Sequence, residues 1–309
     1  MAQLLCYRAD MSTNVAILGA GEIGQAVAFA LKQAGKSEVH FWDKQEGKVP
    51  DQKPLPETLS VADIVFLCVP SVAFRAVLKE IKPHIKAGAV LVWLTKGIER
   101  ETNLSMDQVA QQEIEDIQYA ALGGPLIAEE IISGASGIGV LASPFPEVFT
   151  KVTPVFSGSN MTLDQTPDIH GVALAAIIKN VYAMGLGASE ELKLGINFRG
   201  WYVTQALKEM SQMIKNLDGE SQTAYGPSGL GDLIATGFSP DSKNHQAGRE
   251  LALTGKCDNP GEGLISLPQL IQLIGEETAA QLPLLSAIKR FALDGENVKE
   301  TLQSLPPRD

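Results

Sequence analysis

At 309 residues the chain exceeds the size at which one hydrophobic core usually stops growing, so two domains are expected. Its 45% apolar and 20% charged residues are a globular balance, and a net charge of −11 argues against nucleic acid or an anionic membrane as main partner. Three widely spaced cysteines (Cys6, Cys68, Cys257) and four histidines lack metal-ligand spacing, so no metal site is expected and a reducing cytoplasm fits best.

No run of 18 apolar residues marks a membrane span. Residues 1–10, MAQLLCYRAD, lack the basic start and apolar centre of a signal peptide; they precede Met11 and read as an extension or an upstream start, without assigned function. The first element is a buried strand, Val15 to Leu18, stopped by Gly19. Gly21 and Gly24 complete a G-x-G-x-x-G, and Gln25 to Ala34 follow with helical periodicity. Gly19 allows a tight turn, Gly21 lets a pyrophosphate approach the backbone, and Gly24 lets helix and strand pack closely. With the helix dipole behind them, Gly19, Gly21, Glu22, Ile23 and Gly24 form a candidate dinucleotide phosphate site. A second strand, Glu38 to Trp42, ends at Asp43, where an acid binds a ribose diol; Lys44 beside it could serve a 2′-phosphate. NAD is favoured over NADP.

Val61 to Val69 reads as a helix end passing into a buried strand, Ala73 to Ile85 as an amphipathic helix, and Ala89 to Leu94 as another strand ending at Thr95-Lys96-Gly97. Tyr119–Leu122, Gly137–Ala142 and Val152–Ser157 supply three further strands. The alternation predicts an α/β, doubly wound, mostly parallel sheet of Rossmann type, with ligands at its carboxyl edge. From about residue 166 helical patterns take over, with Asp168 as a cap. The expected division is a dinucleotide-binding domain over 11–165 and an all-helical substrate and dimerisation domain over 166–309.

In that second part Lys179 stands out. On a helix its neighbours at three and four positions are Ala175, Ala176, Tyr182 and Ala183, an apolar surface on which an ammonium must be paired or partly deprotonated. Such a lysine can give a proton to a carbonyl oxygen during hydride attack; a snorkelling lysine at a helix edge is the alternative. Lys96, at the sheet's carboxyl edge, could polarise a substrate or contact a cofactor. Asp232, with Thr236 one turn on, could orient the lysine and a substrate hydroxyl; taken alone it reads as a helix-start acid favoured by the dipole. Ser242, Lys243 and Asn244 suit a phosphate, though as an isolated string they read as a polar loop.

GAGEIG at 19–24, TKG at 95–97, GGPLIAEE at 123–130, KN at 179–180, GLGDLIAT at 229–236, SKN at 242–244 and EG at 262–263 follow one another in an order that resembles the soluble bacterial NAD(P)-dependent glycerol-3-phosphate dehydrogenases. The resemblance implies interconversion of dihydroxyacetone phosphate and sn-glycerol 3-phosphate, in the supply of phospholipid precursors. It implies Lys179 as catalytic lysine and Lys96 shared by substrate and cofactor. Asn180, Asp232 and Thr236 fall at the substrate's polar end, where Asp232 and Asn180 are expected to orient the lysine as part of the catalytic set, and Ser242, Lys243 and Asn244 at its phosphate. Gly124, Ala128 and Glu262 lie near substrate or nicotinamide, and Lys243 also near the cofactor. A homodimer through the helical domain is implied; Phe198, Trp201 and Tyr202 are candidate contacts for it, or equally core packing of a helix. Three positions depart from the family: Lys243 replaces arginine, Leu126 fills a usually small or hydroxylic place in the substrate site, and 43–56 is shortened. A related reductase of 2-keto or 3-hydroxy acids, such as ketopantoate reductase, and a catalytically silent dinucleotide sensor are the competing readings.

Overall fold

The structure is a computed structural model that describes residues 13–305; the expected extension, Cys6 and the outermost ends of both expected domains lie outside the described residues. The N-terminal part alternates strands and helices. β1 (Thr13–Leu18), α1 (Glu22–Ala34), β2 (Ser37–Trp42), α2 (Leu55–Val61), β3 (Ile64–Leu67), α3 (Phe74–Ile81), β4 (Val90–Trp93) and α4 (Met106–Glu113) come first. β5 (Gln118–Gly123), α5 (Ala128–Ile132), β6 (Gly137–Ala142), α6 (Pro146–Val152) and β7 (Met161–Thr166) complete it. The seven strands form one sheet in the order β2-β1-β3-β4-β5-β6-β7.

Every neighbouring pair is parallel except β5 and β6. There the chain returns through the five-residue α5 and runs antiparallel beside β5. The central strands are apolar on both faces because both are covered. Val15 and Ile17 pack towards α1 and α6, and Ala16 and Leu18 towards α3 and α4.

One expected strand is absent and another takes its place. Val152–Ser157 closes α6 and turns through a 3-10 segment at Thr153–Phe156. Pro154 offers no N–H to a ladder, and Val152, Val155 and Phe156 are buried at helical spacing. The edge strand is instead β7, where polar residues dilute the apolar signal. The amphipathic stretch 73–85 is α3 flanked by 3-10 turns, its end set by Pro83.

The sheet ends at Thr166, and the remaining named elements are helical: α7 (Ile169–Glu191), α8 (Gly195–Asn216), α9 (Asp232–Phe238), α10 (Lys243–Thr254), α11 (Glu262–Ile274), α12 (Glu276–Ala280), α13 (Pro283–Ala292) and α14 (Val298–Gln303). Asp168 caps α7, its carboxylate accepting from the Gly171 amide at 2.9 Å. α7 is apolar and long enough to cross a membrane by composition, yet 94% of that window is buried inside the fold. It is the axle of the helical part, enclosed by α8, α9, α10, α11 and α13. Tyr202 is fully buried there and donates its hydroxyl to the Tyr182 carbonyl at 3.0 Å, so it is a core residue and not a dimer contact. Phe198 and Trp201 stay half-buried.

Candidate active site

The chain reverses its direction of winding at β1, with β2 on one side and β3 on the other, and the crevice this leaves is where a doubly wound sheet binds ligands. Gly19 enters it at φ +103°, and a Cβ there would stand 2.3 Å from the Cys68 carbonyl. A Cβ on Gly24 would lie 2.1 Å from the Gly19 carbonyl, so α1 abuts the turn. On Gly21 the same atom meets nothing within 4 Å, which leaves the first-turn amides of α1 open to a phosphate.

A cavity of about 550 Å³ runs from this turn along Trp42, Asp43, Lys44, Val69 and Val77. Asp43 accepts from the amides of Ala20 (2.7 Å) and Gln45 (2.9 Å) and pairs with Lys48 at 3.0 Å. Burial opposes its charge, but these donors outweigh it and hold the carboxyl below the usual carboxylate value. The segment after β2 is folded back by Gln52, which accepts from the Asp43 amide (2.7 Å) and donates to its carbonyl (3.0 Å). Sequence reasoning missed Lys48 and Gln52, because the 43–53 segment has no periodicity. The Asp43–Lys48 charge spacing was the one available signal.

Ile23 and Leu94 separate this space from a second cavity of about 430 Å³ at the junction with the helical part. Glu22, Leu126 and Ala128 line one wall, and Lys96, Lys179, Asn180, Thr236 and Glu262 another. Gly124 does not line it; at φ +97° it turns the chain against the Ile138 carbonyl.

Behind the lysines lies Asp232, 3% exposed, on the first turn of α9. Its Oδ1 accepts from Lys179 Nζ at 2.8 Å and its Oδ2 from Lys96 Nζ at 3.0 Å. Lys179 also donates to the Thr236 hydroxyl at 2.6 Å, and Thr236 donates to Asp232 at 3.1 Å. Burial lowers the Lys179 pKa to about 8; Asp232 resists the fall and the Lys96 charge adds to it. Asp232 is itself penalised by burial, but the two ammonium groups keep it ionised, below its usual value.

The expected Asn180 hydrogen bond to the Lys179 ammonium is not formed. The Asn180 amide donates to the Ala176 carbonyl at 3.0 Å and its oxygen accepts from Asn244 at 2.9 Å. Asn244 in turn accepts from the Gly263 amide at 2.8 Å. A Cβ on Gly263 would fall 2.3 Å from the Asn180 carbonyl, so α11 lies against α7 and delivers Glu262 into the cavity. The buried Glu262 Oε2 has no hydrogen-bond partner, and burial raises its pKa. Ser242 caps α10, accepting from the His245 amide at 3.4 Å, which turns the helix N-terminus, Lys243 and the cap towards the cavity. His245, which sequence reasoning passed over, ties α10 to α9 through Nδ1 and the Gly237 carbonyl at 2.6 Å.

The open glycine turn, the acid beyond it and the unpartnered Glu262 oxygen fit an extended dinucleotide, its far end beside two lysines. Among the described residues no group of metal-ligating side chains gathers.

Sequence profiles of the NAD-dependent glycerol-3-phosphate dehydrogenases match the chain twice, the N-terminal one over residues 47–148 and the C-terminal one over 168–303. A glycerol-3-phosphate dehydrogenase, NAD(P)+, of Erwinia tasmaniensis is 31% identical over 94% of each chain. That of Saccharophagus degradans is 30% identical, over 94% of this chain and 89% of the other. The crystal structure of glycerol-3-phosphate dehydrogenase from Coxiella burnetii superposes with a TM-score of 0.83 at 26% identity, covering 96% of this chain and 99% of that one. A ketopantoate reductase from Ralstonia eutropha shares the fold alone, at TM-score 0.59 and 16% identity. With matches of this extent running through both the sheet and the helical part, the chain belongs to the NAD(P)-dependent glycerol-3-phosphate dehydrogenases.

Proposed function

We propose that the chain interconverts sn-glycerol 3-phosphate and dihydroxyacetone phosphate, with Lys179 as the general acid and base. The observation that carries this reading is the buried Lys179 ammonium, held by Asp232 and Thr236 on the wall of a cavity that adjoins the dinucleotide cradle at Ile23 and Leu94. When bound, NAD(P)(H) supplies or accepts the hydride. In the reducing direction Lys179 Nζ gives its proton to the substrate's carbonyl oxygen as charge grows there, and Asp232 stays ionised throughout to steady the ammonium. Lys96 adds positive charge on the same side of the carbonyl. Lys243, the Ser242 cap and the α10 amides take the phosphate, whose binding helps to place the reacting carbon. A lysine in place of arginine supplies the charge without a two-pronged fork. Asn180 and Asn244 lock α7, α10 and α11 together, so their part is to shape the pocket.

The cradle residues Gly19, Gly21, Glu22, Ile23 and Gly24 hold the pyrophosphate, and Asp43 holds the adenosine ribose. An ionised Asp43 favours NAD over NADP, because a 2′-phosphate would meet a carboxylate; Lys44 and Lys48 soften that exclusion. Glu262, with a free acceptor, suits the carboxamide of the nicotinamide. The functional division falls at about residue 166, the cofactor on the sheet side and substrate binding on the helical side. A cytoplasmic enzyme is consistent with the free Cys68 and Cys257. A homodimer would use α8 near Phe198 and Trp201, and light scattering on the purified chain decides it.

The test is a substrate panel with NADH and NADPH. Dihydroxyacetone phosphate should be reduced far faster than ketopantoate, and Lys179→Ala should abolish turnover while leaving NADH affinity nearly unchanged. Full activity of Lys179→Ala would remove the proton-transfer role.

A further inference from the structure

Four consecutive residues of the loop between β4 and α4 reach four different places. Lys96 meets Asp232 on the helical side. Gly97, at φ +136°, packs against Ser71 and near the Glu262 carboxylate. Ile98 is buried in the hydrophobic cluster of the helical part, although it belongs by sequence to the sheet part. Glu99 turns back towards the sheet side, where Arg75 of α3 grips it. The loop also closes on itself, with an antiparallel bridge between Ile98 and Ser105 and a Glu99 amide that donates to the Leu104 carbonyl at 2.8 Å.

Arg75 takes hold of Glu99 with both prongs of its guanidinium, Nε to Oε1 and Nη2 to Oε2, each at 2.7 Å. The remaining donors go to Glu113 and to Gln112, the latter at 2.9 Å, so the end of α4 completes the clamp. Thr102 adds a hydroxyl to Glu99 Oε2 at 2.5 Å. Isolated surface ion pairs contribute little, but this one is two-pronged, networked and mostly enclosed, with side-chain exposures of 22% for Arg75 and 14% for Glu99. Neither residue lines either ligand cavity. Whatever they do for the reaction, they do through the loop.

We propose that Arg75 is a positioning residue for the reaction: by clamping Glu99 it fixes the loop so that Lys96 stays on Asp232, beside Lys179. The inference rests on the reading of Lys179 as the acid–base group. Two ammonium groups share one carboxylate, so the charge of Lys96 makes Lys179 give up its proton more readily. If the clamp is released, the loop slackens and Lys96 spends less time on the carboxylate. Lys179 then keeps its proton to higher pH, and the substrate cavity loses an ordered cation. Reduction requires the protonated lysine, so its activity falls as pH rises through the Lys179 pKa, and that basic limb moves upward when Lys96 withdraws.

The experiment compares Arg75→Met, Arg75→Lys and Glu113→Gln in the full chain. It follows kcat and KM for dihydroxyacetone phosphate reduction with NADH across pH 6 to 10, with a thermal melt of each variant. Arg75→Met should raise KM about threefold or more and move the basic limb up by about half a pH unit, a roughly threefold change in the protonation ratio. Arg75→Lys, which keeps charge without the fork, should recover part of both effects. Glu113→Gln leaves the Arg75–Glu99 fork intact, so it should lower the melting temperature without moving the limb. If Arg75→Met does not fold, Glu99→Gln is measured in the same way and should show the same displacement. A wild-type KM and limb in the Arg75 or Glu99 variant, or an equal displacement in Glu113→Gln, overturns the inference alone. A wild-type chain that does not reduce dihydroxyacetone phosphate overturns the functional reading and the inference with it.

Discussion

Replacing Asp232 by asparagine keeps the shape of the site and removes the one negative charge that two lysines share. Lys179 sits at about 8 in the intact site, where burial pushes it down and Asp232 holds it up. An opposite charge at this range is worth about 1–3 pKa units, so its loss should bring Lys179 to about 6. At pH 7 the protonated fraction then falls from about nine-tenths to about one-tenth. Between pH 5 and pH 7 the wild-type kcat/KM for reduction should therefore be nearly flat, while that of Asp232→Asn drops about tenfold. The assay is NADH oxidation against dihydroxyacetone phosphate at fixed ionic strength, with NADH affinity measured separately. A uniform loss of rate with the basic limb still near 8 would show that Asp232 does not set the lysine's charge.

Gly24→Ala brings a Cβ to 2.1 Å from the Gly19 carbonyl, so NADH affinity should fall by about tenfold or more in a fluorescence titration. Unaltered binding would refute the close approach. Glu209 is buried and accepts from the Tyr182 hydroxyl (2.7 Å) and from the Leu284 (2.8 Å) and Leu285 (3.0 Å) amides that open α13. Glu209→Ala strands these donors and Gln205 Nε2, which reaches Glu209 Oε1 at 3.2 Å, and should lower unfolding stability by ~3–5 kcal/mol in urea, with Glu209→Gln clearly less damaging. Equal losses in the two variants would point to packing alone. His170 faces acceptors at both ring nitrogens, the Asp107 carboxylate at 2.7 Å and the Leu217 carbonyl at 2.9 Å. Asp107, chiefly, raises its pKa against the opposing effect of burial. The stabilisation is thus complete below about 6.5 and is lost as pH rises through the higher folded-state value. His170→Gln should flatten the fall in urea midpoint between pH 6 and 9, and an unchanged slope would exclude the contact as its source.

Local chemistry explains which parts of the architecture could be read from the sequence. The glycine turn and the strands β1, β3 and β4 were legible because burial on both faces leaves short, uninterrupted apolar runs. β7 was not, since an edge strand with one wet face dilutes that signal, and Val152–Ser157 imitated a strand because helical burial at Val152, Val155 and Phe156 also concentrates apolar residues. Lys179 could be singled out because an ammonium among alanines and isoleucines is costly without a partner. Asp232 and Thr236, one turn apart, pointed to that partner only through the family resemblance, since a helix-start acid is favoured by the dipole in any case. That Lys96 would take the second oxygen of the same carboxylate is a long-range fact, spanning 136 positions, with no local trace. Asn180 and Asn244 also look like substrate ligands in a string; only packing reveals that they bond to each other.

The enclosure of α7 on every side bears on how such a site can vary. Along most of its length a larger side chain would have to displace a neighbouring helix, and a smaller one would leave a void, so the amine's surroundings are close to fixed. Adaptation to a new substrate or dinucleotide is therefore channelled into the segments that surround it without belonging to the core: the 43–53 return, the half-buried Leu126, and the turn leading into α10.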